Sequence, residues 1–148
     1  MRGLLRVAVV AMTAGVGSLV AVPVASAVTV VDIGSAVIDA KFPGRVRVDV
    51  SYTCDVMDGA RSMNVSVEQT DPGDTSSVAF GSSRVAPTAI VCDGTAKIQT
   101  VVVQSKTVNW IPDADAVVVT ALSDIGSVPP ANADAKKLLL KVAAAPAT

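Results

Sequence analysis

Arg45-Val46-Arg47-Val48-Asp49-Val50-Ser51-Tyr52-Thr53-Cys54 alternates polar and apolar residues without a break. Successive side chains on a β-strand point to opposite faces, so Val46, Val48, Val50, Tyr52 and Cys54 form one row. Arg45, Arg47, Asp49, Ser51 and Thr53 form the other. The first row is apolar and belongs against a core; the second has mixed charge and belongs in water. A second run, Thr88-Ala89-Ile90-Val91-Cys92, reads as a strand ending in the other cysteine of the chain. These two strands are expected to be cross-linked and to set the frame for the rest.

The remaining chain is read outward from that frame. Of 148 residues, 51% are apolar but only 3% aromatic, so a core must be built from Val, Ala, Leu and Ile. Valine favours strands because its branched side chain suits a pleated surface. Residues 28–33 and 36–40 read as two short strands separated at Gly34, and Phe42-Pro43-Gly44 as a turn. Asp58-Gly59 carries hairpin chemistry, and residues 62–68 return as a strand with Met63, Val65 and Val67 inward. Residues 70–77, with Pro72-Gly73 flanked by Asp71 and Asp74, form a protruding loop. Residues 78–80 read as a short edge strand stopped at Gly81, and Asp93-Gly94 as a hairpin turn. Val101-Val102-Val103 and Val117-Val118-Val119 suggest central strands covered on both faces. Trp110 sits in a corner between them, and residues 137–142 close the fold.

About seven to nine short strands with turns between them predict an all-β domain, an antiparallel sandwich, with a barrel as the alternative arrangement. Residues 1–27 have Arg2 and Arg6, an uncharged run and a closing Ala25-Ser26-Ala27, the pattern of a secretory signal peptide. The expected organisation is signal peptide 1–27, β-sandwich domain 28–142 and a flexible tail 143–148. Two cysteines in an exported chain most simply form one disulfide, Cys54 to Cys92, closing a loop with 37 residues between them.

With the pattern assembled, the chain resembles a family of small secreted actinobacterial proteins of uncharacterised function with an immunoglobulin-like β-sandwich and one disulfide. Tyr52-Thr53-Cys54, Val65-Ser66-Val67-Glu68-Gln69, Val91-Cys92-Asp93-Gly94-Thr95 and residues 116–121 carry the resemblance. It implies an immunoglobulin-like fold and the same disulfide, and no activity.

Histidine is absent, which removes the usual general base and the commonest metal ligand. No Ser-x-x-Lys occurs. Asp113 with Asp115, and Asp71 with Asp74, are the carboxylate pairs that could do acid chemistry, but they lie in polar turn sequence where nothing raises a pKa. The Asp-x-Asp-x-Asp-Gly calcium loop is missing. Without residues 1–27 the chain has 10 basic and 13 acidic residues, no footprint for nucleic acid or anionic lipid. The expectation is therefore a non-enzymatic secreted module without a cofactor, binding an extracellular protein or envelope component or serving structurally, with no membrane association after signal cleavage. Candidate interaction residues are Trp110, Asp71 and Asp74. The other reading is an enzyme inhibitor that presents the 70–77 loop.

Overall fold

β2, Arg45–Thr53, places Val46, Val48, Val50 and Tyr52 in the core and leaves its other row outside, as its alternation requires. Cys54 follows, fully buried. The computed structural model describes residues 29–56, 61–124 and 131–144. The expected signal peptide, the expected Asp58-Gly59 turn, residues 125–130 and residues 145–148 of the expected tail lie outside the described residues. The other strands are β1 (Val30–Ile38), β3 (Arg61–Thr70), β4 (Val78–Val85), β5 (Lys97–Gln104), β6 (Ala114–Asp124) and β7 (Asn132–Val142). A single 3₁₀ turn, Pro87–Ala89, lies between β4 and β5.

The seven strands form one mixed sheet in the order β4-β3-β6-β7-β1-β2-β5. It curls until its two edges almost meet, so the shape is nearly a barrel. Inward residues of all seven strands share one core, Ile33, Ile38, Met63, Val67, Ala79, Val103, Val118 and Leu140 among them. The edges touch at Gly81 and Ser105, where Lys106 N–H donates to Phe80 O at 2.7 Å. A Cβ on Gly81 would lie 2.5 Å from Gln104 O, so only glycine allows this approach.

Five expectations need correction. The sheet is not wholly antiparallel, because β1 and β7 run parallel through Val37–Lys141 and Ile38–Val142. Residues 28–33 and 36–40 are not two strands: Gly34 sits in a bulge within β1, where the register on β2 shifts between Ile33 and Ala36. Gly81 does not end β4 but lets it reach β5. Ile90-Val91-Cys92 is not a strand; it is part of an irregular connection in which Ile90 and Cys92 pack on the core. Asp93-Gly94 accordingly makes no hairpin, and Gly94, at φ 78°, turns the chain into β5.

Side chains complete the junction where the parallel ladder is only two residues long. Asn132 Oδ1 accepts from Val31 N–H at 3.0 Å and Asp134 Oδ2 from Ile33 N–H at 2.9 Å. Lys136 Nζ donates to Ile33 O at 2.7 Å and to Asp32 Oδ1 at 2.6 Å. Three alternate residues of β7 thus serve the β1 backbone groups that a longer ladder would have served.

Thr120 is the opposite case. It is fully buried on β6, and its Oγ1 is the buried side-chain polar atom without a hydrogen-bond partner among the described residues. Thr120→Val keeps the shape and removes the unpaired hydroxyl, so it should leave stability unchanged or raise it by about 1 kcal/mol. A urea titration showing a loss greater than that would mean the hydroxyl is satisfied in solution.

Candidate functional site

On the outer face of the four strands β4-β3-β6-β7 the register sets the residues in rows. Phe80, Glu68, Val117 and Lys137 lie side by side; so do Ser82, Ser66, Val119 and Ala135, and then Arg84, Asn64, Ala121 and Ala133. Val117 is 46% and Val119 39% exposed. Covering on both faces, expected from the valine runs, is therefore absent: Val117 and Val119 on β6, and Val102 on β5, face outward. Parallel-sheet burial is the usual reason for such a run, but here Val118 alone of its triplet points into the core.

Small side chains in the two far rows lower the sheet surface into a shallow cavity of about 490 Å³ lined by Asn64, Ser66, Ser82, Ser83, Arg84, Val119 and Ala121. Two cations bound its β4 side. Arg84 Nη2 donates to Ser62 Oγ at 3.1 Å, and Lys106 Nζ donates to Ser82 Oγ at 3.0 Å. Neither has a carboxylate partner among the described residues. The surface therefore offers hydroxyls, an amide and positive charge beside an apolar strip. Ser66, Val119 and Ala121 enter the sequence reading only as strand residues, and no residue of the cavity is an interaction candidate there; the signal is the row Asn64, Ser66, Glu68 opposite apolar β6 positions, legible only once pairing is known.

The sequence candidates lie elsewhere. Trp110 is buried, 2% exposed, and its Nε1 donates to Gly44 O at 3.1 Å. It closes the end of the core between the β1–β2 and β5–β6 connections, with almost none of its ring open to solvent. Asp71 is half-buried and Asp74 exposed, and both accept hydrogen bonds within their own loop. Asp71 Oδ1 accepts from Gly73 N–H at 2.7 Å; Asp74 Oδ1 accepts from Ser76 N–H at 3.1 Å and from its hydroxyl at 2.6 Å. Asp113 sits at φ 57° in the turn before β6, and Asp115 pairs with Lys137 at 2.7 Å. Among the described residues, no three acidic or cysteine side chains are placed to hold a metal ion.

The chain matches no protein-family model, and no curated protein matches it.

Gln69, also missed, organises the same end as Trp110. It is buried; its Nε2 donates to Ile111 O at 2.9 Å and Ala114 O at 3.2 Å, while Ile111 N–H donates to its Oε1 at 2.7 Å. One amide thus clamps the β5–β6 connection, which nothing in a polar position near a strand end announces.

Electrostatics at the loops favours the charged forms. The Ser76 hydroxyl holds the Asp74 carboxyl below its ordinary value; the Lys41 amide, aided by Arg47, does the same for Asp39. Asp93 is pulled lower still by the Lys97 ammonium and the Thr95 hydroxyl and amide. Lys136 is raised, chiefly by its bond to Asp32. Carboxyls depressed in the folded state stabilise it above the unfolded pKa, and that contribution is lost as pH falls through the folded values. For Lys136 the contribution holds below the unfolded pKa and is lost as pH rises through the raised one. With no histidine, the urea midpoint should be flat from about pH 5 to 8, fall below about pH 4 and fall again above about pH 10. A midpoint that drifts between pH 5 and 8 would contradict this assignment.

Proposed function

We propose that the chain is a secreted, non-catalytic immunoglobulin-like sandwich module that binds an extracellular protein or envelope component through the outer face of β4-β3-β6-β7. The observation that carries the reading is the exposed apolar strip of Val117 and Val119 beside a polar cavity bounded by Arg84 and Lys106, which have no carboxylate partner among the described residues. Apolar patches rimmed by polar groups mark interaction sites more often than they occur by chance. The immunoglobulin-like assignment is supported by strand order. β2-β1 with β5 makes one three-stranded half, β4-β3-β6-β7 a four-stranded half, and the β2–β3, β4–β5 and β5–β6 connections cross between the halves in the manner of a Greek key. Secretion is supported by the disulfide between Cys54 and Cys92 and by the leader pattern of residues 1–27.

A pull-down from the producer's secreted and envelope fractions tests this when run with face variants. Val119→Arg and Arg84→Glu, both at exposed positions, should keep the melting temperature and abolish capture of whatever the unaltered protein retains. Equal capture by the variants, or none by the unaltered protein, ends the proposal.

The inhibitor reading keeps one observation in its favour. Besides the bonds above, Asp71 N–H donates to Ser77 O at 2.9 Å and Ser77 N–H to Asp74 O at 2.9 Å, so the loop is internally braced. A braced, protruding loop resists cleavage because it is already held in one shape. A protease panel showing no inhibition, or cleavage within residues 71–77, removes this reading.

A further inference from the structure

β5 is an edge strand along most of its length. Its register pairs one side with β2, from Arg45–Gln104 to Tyr52–Lys97. On an antiparallel strand each residue's N–H and C=O point to the same side, and the side alternates along the chain. Ser105 N–H points to Gly44 O beside β2, whereas Lys106 N–H points to Phe80 O on β4. By alternation the backbone groups of Ile98, Thr100 and Val102 face away from β2. The contact with β4 ends at Gly81–Ser105, so no strand among the described residues meets them. Thr100 O takes a bond from the Gln99 side-chain amide at 3.3 Å instead.

Edges of this kind are usually guarded by a free charge, a proline or a bulge. None guards this one: the nearby Lys97 is tied to Asp93 at 2.8 Å. Ile98 is 77% and Val102 48% exposed, both on the outward face of the same edge.

We propose that this edge pairs with the same edge of a second copy of the chain, antiparallel, about a two-fold axis at Thr100. The sequence suits that register and no other so well. With Thr100 opposite Thr100 of the second copy, Ile98 lies opposite Val102 and Val102 opposite Ile98, so both exposed apolar residues gain an apolar cross-strand neighbour. The three residues with unpaired backbone groups are the ones brought together, forming about six N–H···O bonds. The span ends before Gln104, where β4 takes over the edge. A two-fold pairing is closed, so it yields a dimer and not a filament. The outer face of β4-β3-β6-β7 is not involved, and failure of either proposal leaves the other standing.

The test is light scattering on the purified protein over a concentration series, with cysteine cross-linking to read the register. The molar mass should rise with concentration toward twice that of one chain, and Thr100→Lys, which sets two ammonium groups opposite one another, should hold it at one. Thr100→Cys should form an intermolecular disulfide under mild oxidation, because directly opposed Cα atoms lie about 5.5 Å apart, within the range of about 4.4–6.8 Å that a disulfide spans. Ile98→Cys should not, since its own counterpart is four residues, about 13 Å, along the partner strand. A single-chain mass at every concentration overturns the proposal. So does cross-linking by Ile98→Cys as efficient as by Thr100→Cys, or failure of Thr100→Cys to cross-link in a protein that does dimerise.

Discussion

Trp110→Ala should cost about 3–5 kcal/mol, the range for removing a large buried aromatic from a core that cannot collapse around the gap. Two backbone carbonyls fix its position: Gly44 O accepts from Nε1, and Pro43 O accepts from the Trp110 N–H at 3.1 Å. Both partners belong to the turn that starts β2, so the ring couples the β1–β2 turn to the β5–β6 connection. Trp110→Phe would keep most of the burial and leave Gly44 O without its donor, a loss nearer 1 kcal/mol. Urea midpoints of the two variants separate packing from hydrogen bonding. The unaltered protein should show blue-shifted tryptophan fluorescence that iodide barely quenches. A red-shifted, freely quenched signal would place the ring in water and reinstate it as an exposed anchor.

Replacing both Cys54 and Cys92 with alanine should remove about 4 kcal/mol, the chain-entropy value for a bridge spanning 38 positions. The effect falls mainly on the unfolded chain, so the native circular dichroism spectrum should survive. The bridge pins the β4–β5 connection to the end of β2. Gly94 N–H to Cys54 O at 2.9 Å and Val91 N–H to the Tyr52 hydroxyl at 3.2 Å hold the same place without it. A loss under about 1 kcal/mol would mean those two bonds confine the connection unaided.

How far the sequence could be read follows from which interactions are local. β2 was legible residue by residue because period-two alternation records burial on one face directly. β3 was too, with Met63, Val65 and Val67 inward as expected. The disulfide followed from there being two cysteines in a chain whose first 27 residues have the pattern of a leader. The segment before Cys92 was misread because apolar residues that seal a crossover look like strand residues when no ladder partner can be seen. The valine triplets misled for a related reason: valine suits a strand whether its face is dry or wet, so Val118 and its neighbours read alike. Gly34 and Gly81 read as breaks in the sequence alone, but a glycine in a strand equally marks a bulge or a close approach, and pairing decides which. The candidate surface was hidden in the same way. It is assembled from four strands, and none of its rows is contiguous in the chain.

The junction of β1 with β7 bears on how the chain comes to be folded. Lys136 reaches Asp32 across 104 positions, and Asn132 and Asp134 reach nearly as far. Contacts of such long sequence separation form late, because the loop they close must first lose its entropy. A chain emerging from its N-terminus therefore holds β1 beside β2 with one flank waiting until β7 is made. Refolding should be slow for a domain of this size, and a chain shortened before β7 should expose two strand flanks at once, those of β1 and β6, and aggregate instead of folding in part.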